Sequence, residues 1–176
     1  MSRPLAAAGP KGWQVPEVYL LVGLTGAGKT TYSKRVLEPA GVVRLSVDEL
    51  IYQEHGRYGI DYPASTYREL YAPALETVQE LLVEELDMGR DVALDLGIWS
   101  RADRDEWKSL IEAAGARWHL LYFPVSEAEL RHRLAERNRL DGPNALRVDE
   151  SDLDDFYARF EEPTDEGEEV IQPGSF

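Results

Sequence analysis

The residues best suited to chemistry lie in one short stretch, GLTGAGKT, which follows an apolar run ending at Val22. The stretch matches the spacing G-x-x-x-x-G-K-[ST] at every fixed position. Glycines in this pattern let the backbone turn its N–H groups toward a polyphosphate, while Lys29 and Thr30 reach the phosphates and a Mg²⁺ ion. The pattern therefore predicts a loop that binds ATP or GTP, formed by Gly23, Thr25, Gly26, Ala27, Gly28, Lys29, Thr30 and Thr31.

Two carboxylates follow later apolar runs and are candidates for the same site. Asp48 comes just after VVRLS, where a general base could take the proton of an acceptor hydroxyl. An aspartate at this position could instead cap the helix that begins there. Asp95 lies near the end of VALDL, where phosphate-binding-loop proteins hold Mg²⁺. We interpret Asp48 as the base, and Thr30 with Asp95 as the metal site.

The stretch RHRLAERNR places four arginines in nine positions. Arg133 and Arg137 are four residues apart and share a helix face, so they could close over a triphosphate and neutralise charge on the group in transfer. The alternative is a solvated face on which Glu129 and Glu136 are their partners. We predict a helical, arginine-bearing lid over about 126–147, because the sequence offers no other arginine cluster for this task.

Residues that could contact an acceptor are spread over two loop regions. The tyrosines between positions 52 and 67 suit a ring-bearing acceptor, although they suit the packing of a long loop equally well. Trp99 could line a pocket or cover the core. Arginines at a helix N-terminus oppose the helix dipole, which indicates a role beyond helix stability. The candidates are Tyr52, Tyr58, Trp99, Arg101 and Arg104.

Apolar runs alternate with amphipathic stretches along the chain. Predicted strands lie at 18–22, 42–46, 91–96, 117–123 and 170–171, and predicted helices at 29–38, 48–55, 65–88, 101–114, 126–140 and 151–160. Such alternation indicates βαβ units, so we predict a three-layer α/β fold of the P-loop NTPase type, with about five parallel strands and helices on both faces. Ligands bind at the carboxyl ends of such strands, which brings the residues above together.

Composition restricts the classes of partner. The net charge is −14, and residues 149–169 hold eleven acidic side chains and one arginine. No basic stripe lies outside one short helix, which argues against a nucleic acid partner. No apolar run is long enough to cross a bilayer, and there is no cysteine. We expect a cytoplasmic protein with a flexible leader at 1–16, a single domain at 17–176 and an acidic C-terminal helix and tail at 149–176, and leave homo-oligomerisation open.

Motifs of other nucleotide-binding classes are incomplete in this sequence. A switch GTPase needs Asn-Lys-x-Asp, whereas the nearest approach, Asn138 to Asp141, lacks the lysine. The segment Asp95 to Gly97 is one residue short of Asp-x-x-Gly. A mechanical ATPase usually needs a longer chain with a helical lid domain. A compact kinase with its own arginine-bearing lid is the remaining class.

The order of these motifs resembles the small P-loop kinases, which include chloramphenicol phosphotransferase, zeta-toxin-type kinases and the kinase domain of phage polynucleotide kinase. The quoted motifs are GLTGAGKT, VDEL, the strand ending in Asp, RADRDEW and LRHRLAERN, and the resemblance covers about 17–140. It implies that Asp48 is the catalytic aspartate, that Lys29 and Thr30 hold nucleotide and Mg²⁺, and that Arg133 and Arg137 are lid arginines.

One departure from the resemblance bears on the acceptor. Polynucleotide kinases carry an arginine three residues after the catalytic aspartate, whereas this chain has Ile51. The run VDELI is closer to the antibiotic phosphotransferase. We therefore expect transfer of the γ-phosphate of ATP or GTP to a small-molecule hydroxyl, with a nucleoside-type or chloramphenicol-like antibiotic as the first candidate. The alternatives are a polynucleotide or nucleotide-sugar kinase, and a regulatory module that binds nucleotide without transferring phosphate.

Overall fold

The computed structural model describes residues 15–137, 150–172 and 174, and these contain a five-stranded parallel sheet in the order β2-β3-β1-β4-β5. The strands are β1 (Glu17–Val22), β2 (Val43–Leu45), β3 (Val92–Leu94), β4 (Arg117–Tyr122) and β5 (Glu168–Val170). This architecture confirms the predicted α/β fold. The central position of β1 places the loop that follows it at the middle of the sheet edge.

Helical segments connect the strands. They are α1 (Lys29–Tyr32), α2 (Val47–His55), α3 (Tyr67–Asp87), α4 (Arg101–Ala113), α5 (Glu127–Arg137) and α6 (Glu150–Arg159). A π-helical turn (Ser33–Leu37) and a 3₁₀ turn (Glu38–Ala40) extend α1, and a second 3₁₀ turn (Ala64–Thr66) precedes α3. Among the described residues, no helix has both the length and the apolarity that a bilayer crossing requires.

The sheet buries side chains on both faces, which explains why β1 is a continuous apolar run. Val18 and Leu20 of β1 belong to the larger core, which α2, α3 and α4 cover. Leu21 of β1 points to the other face, where it packs in a smaller core with Leu37 and Phe123. The helices therefore lie on both faces of the sheet, as the alternating sequence pattern predicted.

Two predicted helix boundaries were wrong because of prolines. The helical segment after the phosphate loop does not stop before Pro39, because Pro39 lies inside the 3₁₀ turn Glu38–Ala40. Proline is tolerated there because the first backbone N–H groups of a helical turn have no partner within the turn. Ser65 does not cap the long helix. A 3₁₀ turn already begins behind Pro63, and Tyr67 opens α3 without a side-chain cap. This shift places Tyr67 in the first turn of α3.

The helices that flank the sheet edge have well-defined first turns. Ser100 and Asp103 form a reciprocal capping box at α4 that was not predicted. At α5 the predicted box is half present, because the Glu129 N–H donates to Ser126 Oγ (3.3 Å) while the Glu129 carboxylate accepts from an arginine instead. The described part of α5 ends at residue 137, so the rest of the predicted lid lies outside the described residues.

Candidate active site

A cleft of about 910 Å³ opens where the strands end. The loop after β1, the start of α2 behind β2, and the residues that follow β3 all contribute to its lining, together with α3, α5 and α6. The structure thereby brings together most of the predicted site residues, namely Thr25, Gly26, Gly28, Lys29, Thr30, Thr31, Asp48, Asp95, Trp99 and Arg133.

The loop between β1 and α1 has the backbone geometry of a phosphate cradle. Gly28 caps α1 with φ of 107°, a left-handed conformation that favours glycine. At Gly23 a Cβ would lie 2.9 Å from the carbonyl oxygen of Phe123, so a side chain would push the loop away from β4. Lys29 Nζ donates to the carbonyls of Gly23 (2.7 Å) and Leu24 (3.1 Å), which holds the ammonium at the loop.

Thr30 and Asp95 meet at the base of the cleft. Thr30 Oγ1 donates to Asp95 Oδ2 at 2.7 Å, and Arg44 Nη1 lies 3.2 Å from the same oxygen. Hydroxyl and carboxylate oxygens suit Mg²⁺, which is usually held by one or two protein groups together with substrate phosphates. The described residues contain no cluster of three acidic or histidine side chains that could hold a metal. By the chemistry of their oxygen donors, Thr30 and Asp95 fit such a Mg²⁺ ion.

Arg44 is a buried cation that the sequence analysis missed. Its side chain is only 6% exposed and interacts with three carboxylates, those of Glu38, Glu49 and Asp95. A basic residue inside the apolar run VVRL was the signal that could have identified it. Through these contacts, β2 fixes the carboxylate of Asp95 against Thr30.

The local structure of α2 distinguishes the two interpretations of Asp48. Ser46 is the N-cap of α2, and its Oγ accepts the N–H of Glu49. Asp48 lies within the first turn of the helix and lines the cleft, where its Oδ1 accepts a hydrogen bond from the hydroxyl of Tyr67. The capping task belongs to Ser46, and the Asp48 carboxylate lies in the cleft.

Two tyrosines of α3, Tyr67 and Tyr71, lie near the Asp48 carboxylate. Burial, reinforced by the negative charge of Asp48, raises the pKa of Tyr67 far above its usual value. Burial and the same charge raise the pKa of Tyr71 to about 12. Both phenols are therefore protonated at neutral pH, and Tyr67 acts as a hydrogen-bond donor to Asp48.

Helix α5, the described part of the predicted lid, packs directly on the phosphate loop. A Cβ added at Gly26 would lie 3.1 Å from both Leu130 and Leu134 of α5. Arg133 Nε donates to Glu129 at 2.7 Å, and its Nη1 lies 3.3 Å from the carbonyl oxygen of Ala27. Arg133 thus pairs with a neighbour on its own helix and also reaches the loop. The side chain of Arg137, the second predicted lid arginine, lies outside the described residues.

The predicted acceptor residues separate into two groups. Trp99 lines the cleft and meets the ring of Phe156 edge-on, with centroids 4.8 Å apart. Tyr58 packs against Tyr67 at 5.6 Å, and neither it nor Tyr52 is among the described residues that line the cleft. Tyr67, the last tyrosine of the stretch that the sequence suggested, lines the cleft, whereas the lining residues Tyr71 and Phe156 escaped sequence reasoning. The Tyr-x-x-x-Tyr spacing from Tyr67 on one helix face was a usable signal for Tyr71.

Arg104, which the sequence suggested as an acceptor contact, does not reach the cleft. Its side chain is fully buried, and Nε and Nη2 donate to the two oxygens of Glu166 at 2.8 and 2.6 Å. Nη1 donates to the backbone carbonyls of Glu161 (2.9 Å) and Trp99 (3.2 Å). The hydrogen bonds from Arg104 hold the pKa of Glu166 below its usual value. Arg104 therefore ties the C-terminal segment to the backbone of Trp99.

Arg101, the other predicted arginine of α4, is exposed and lies on the outside of the helix start. Its backbone N–H donates to the carboxylate of Glu161 at 2.7 Å, and its guanidinium is 4.0 Å from Asp105. The described lining of the cleft does not include it. The structure therefore gives both arginines of α4 contacts with the protein's own carboxylates.

Comparison with known proteins identifies the family. The family described as an AAA domain matches residues 18–163, and the chain belongs to this family. A search of curated protein sequences finds no significant match. The match begins in β1 and ends beyond α6, so it includes the phosphate loop, Asp48, Asp95 and the described part of the lid.

Solved structures with a similar fold include several described as kinases, at low sequence identity. A candidate kinase from Chloroflexus aurantiacus is 17% identical, with a TM-score of 0.70 and coverage of 90% of this chain and 89% of that one. A chain of the Pnkp1/Rnl/Hen1 RNA repair complex is 18% identical (TM-score 0.68), but this chain covers only 46% of it. The Mycobacterium tuberculosis APS kinase CysC, solved with AMPPNP and APS, is 15% identical (TM-score 0.59, 91% and 90% covered). At these identities the likeness establishes the P-loop kinase fold.

Proposed function

We propose that this member of the AAA domain family is an ATP-dependent kinase that transfers the γ-phosphate to a hydroxyl group of a small molecule. The observation that carries the proposal is the position of Asp48. Its carboxylate lines the same cleft as Lys29 and Thr30, while Ser46 performs the capping of α2. A phosphate cradle and a carboxylate that can accept a hydroxyl proton are the two parts that phosphoryl transfer requires.

Each charged group has a role consistent with its placement. The loop N–H groups and Lys29 would bind the β- and γ-phosphates, and Arg133 would contact the transferring group from the lid. Thr30 and Asp95 would hold Mg²⁺, which when bound neutralises charge on the phosphate oxygens. Asp48 would orient the acceptor hydroxyl and accept its proton. GTP is the alternative donor, because the sequence contains no motif that would recognise one nucleotide base over the other.

For the acceptor, an antibiotic with a free hydroxyl is our first candidate, of the nucleoside or chloramphenicol-like kind. The aromatic side chains in the cleft support a small organic acceptor. Ile51, at the position where polynucleotide kinases have an arginine, is 1% exposed and belongs to the core. This position therefore offers no contact to a nucleic acid phosphate.

The direct test is incubation of the protein and Mg²⁺ with ATP or GTP against a panel of hydroxyl compounds. The panel contains antibiotics, nucleosides, sugars and a 5′-hydroxyl oligonucleotide, and the readouts are nucleotide consumption and the mass of each acceptor. We expect nucleotide consumption that depends on one class of small molecule, which gains one phosphate. Robust labelling of the oligonucleotide would favour a polynucleotide kinase instead. Nucleotide binding with no acceptor in the whole panel would favour a regulatory module.

A further inference from the structure

Arg44 lies at the centre of a group of ion pairs behind the cleft. It is the middle residue of β2, within an otherwise apolar run, and its side chain is 6% exposed. A guanidinium in such a position has lost most of its hydration, which is costly unless its N–H groups find acceptors in the protein. The structure supplies these acceptors as carboxylates, so the contacts of Arg44 indicate what it holds in place.

Each nitrogen of the Arg44 guanidinium faces a different carboxylate. Nε donates to Glu38 Oε1 at 2.7 Å, in the 3₁₀ turn that extends the helical segment after the phosphate loop. Nη2 pairs with Glu49 in the first turn of α2, and Nη1 donates to Asp95 Oδ2 at 3.2 Å. Because these partners come from three separate elements, the planar guanidinium is held in one orientation. A lysine, with a single nitrogen on a flexible stem, could not reproduce this fork.

The contact with Asp95 complements the one that Thr30 makes. Thr30 Oγ1 donates to Asp95 Oδ2 at 2.7 Å, and Arg44 Nη1 donates to the same oxygen. The backbone N–H of Asp95 donates to the carbonyl of Leu45, the neighbour of Arg44 in β2, at 2.9 Å. The two side-chain donors therefore converge on Oδ2, and together they restrict the rotation of a carboxylate that lines the cleft.

The other partners of Arg44 are themselves anchored. Glu49 pairs with Lys34 at 3.2 Å, and its backbone N–H donates to Ser46 Oγ, the N-cap of α2. Through Glu38 and Glu49, the guanidinium is tied to the segment that extends α1 and to α2. Arg44 is thus held independently of Asp95, so it can fix the Asp95 carboxylate rather than follow its movement.

We propose that Arg44 is a positioning residue for the Mg²⁺ site, which holds the Asp95 carboxylate beside Thr30 before metal and nucleotide arrive. The inference rests on the proposed function, in which Thr30 and Asp95 hold the ion. Arg44 is not among the described residues that line the main cleft, so it acts through Asp95 rather than by contact with the nucleotide. Loss of a group that orients a metal ligand from behind typically weakens metal affinity by about 10- to 100-fold.

Calorimetry of AMPPNP binding to the full chain at increasing Mg²⁺ concentrations tests the inference without any phosphate transfer. It gives the AMPPNP affinity with the metal removed by EDTA, and the Mg²⁺ concentration at which half of the metal-dependent gain in affinity is reached. Arg44→Lys keeps the positive charge but loses the planar fork. We expect its half-maximal Mg²⁺ concentration to rise by about 10- to 100-fold, with the metal-free affinity nearly unchanged. A merely structural role would weaken the metal-free and the metal-dependent binding together, and that result would overturn the inference.

Two further variants locate the effect. Lys34→Met is the matched control, because it breaks the exposed ion pair of Glu49 and leaves the contact between Arg44 and Asp95 in place. Its Mg²⁺ dependence should equal that of the wild type. In an Asp95→Asn background, Arg44→Lys should raise the Mg²⁺ requirement no further, because the group that it positions is already lost. An equal further rise in that background would show that Arg44 acts by another route.

Folding is checked by the metal-free AMPPNP affinity. Arg44→Gln, which keeps a side-chain N–H donor, replaces Arg44→Lys if the lysine variant fails this check. If neither variant binds AMPPNP without metal, Arg44 serves the fold alone and the inference is wrong.

The proposed function and the role of Arg44 fail in different ways. If Mg²⁺ does not strengthen AMPPNP binding by the wild-type protein, the metal site of the proposed function is wrong, and the role of Arg44 with it. If Mg²⁺ acts equally on the wild type and on Arg44→Lys, the metal site stands and the role of Arg44 is wrong. If Arg44→Lys raises the Mg²⁺ requirement but no hydroxyl compound is ever phosphorylated, the kinase function is wrong while the role of Arg44 stands.

Discussion

The nucleotide side and the acceptor side of the cleft are built in different ways. The nucleotide side is mostly one continuous stretch, from Gly23 to Thr31, in which backbone N–H groups, Lys29 and Thr30 supply the chemistry. The acceptor side takes its side chains from α2, the segment after β3, α3 and α6. In the proposed kinase, the nucleotide side would bind a common triphosphate through backbone groups, and the acceptor side would bind a particular molecule through side chains. A fold that keeps the nucleotide side and varies the acceptor side can serve different acceptors.

The contrast predicts that damage to the acceptor side will separate catalysis from nucleotide binding. Asp48→Asn removes the base but keeps the size of the side chain and its place in α2. We expect kcat to fall by about 10²- to 10⁴-fold, the usual range for loss of a general base, with nucleotide affinity nearly unchanged. Steady-state kinetics with the acceptor found by the panel measure kcat, and calorimetry with AMPPNP measures the nucleotide affinity. Glu54→Gln, an exposed change on the same helix, is the control. Full activity of Asp48→Asn would show that Asp48 takes no part in the mechanism.

The acceptor side also depends on a buried ion pair, that of Arg104 and Glu166, since Arg104 also binds the backbone carbonyl of Trp99. Arg104→Met leaves the Glu166 carboxylate, which is 1% exposed, without its bidentate partner. Breaking one partner of such a pair costs about 3 to 5 kcal/mol of the free energy of unfolding. Urea denaturation measures this loss. Arg101→Met, on the exposed side of the same helix, should change stability by only about 0.5 kcal/mol or less. Similar stability of the two variants would contradict the role given to Arg104.

The sequence predicted the nucleotide side well because that side is formed by residues that are adjacent in the sequence. GLTGAGKT carries its own strand, turn and helix start, so spacing alone indicated the loop, and the alternating pattern predicted the parallel sheet that the structure confirms. Asp48 and Asp95 could be placed near the loop because both follow strands of the same sheet edge. The strand order, which assigns them to one side of β1, did not follow from the pattern.

The acceptor side was predicted less well because its residues meet only through tertiary packing. Tyr67 and Tyr71 line the cleft, whereas Tyr52 and Tyr58, closer to Asp48 in sequence, do not. Arg104 has the sequence position of a substrate contact, but Glu166, more than sixty residues later, holds it in the interior. No local signal indicates that pairing, because β5 and the segment before it come beside α4 only when the sheet forms.

A change on the nucleotide side should weaken binding and catalysis together. Lys29→Met removes the ammonium that the loop carbonyls hold where the phosphates would bind. A hydrogen bond to a charged group contributes about 1.5 to 3 kcal/mol, so AMPPNP affinity should fall by about 10- to 100-fold, and transfer should be lost with it. Lys34→Met is the control, since Lys34 is exposed and pairs with Glu49. Wild-type affinity in Lys29→Met would show that the loop binds phosphate without its lysine.

The smallest predicted effect concerns the contact between Tyr67 and Asp48. Tyr67→Phe keeps the ring against Tyr58 and Tyr71 but removes the hydroxyl that donates to the carboxylate. Because the carboxylate loses the donor that orients it, we expect kcat to fall by about tenfold, with the nucleotide affinity unchanged. Tyr58→Phe, behind the same ring, should have no effect.

The double variant with Asp48→Asn shows whether the tyrosine acts through the aspartate. If it does, Tyr67→Phe will cost nothing further once the carboxylate is gone, and the two losses will be strongly non-additive. If the two losses multiply instead, Tyr67 serves the acceptor directly. The acceptor side then consists of two independent contributions, a carboxylate and a hydroxyl, each lost separately on mutation.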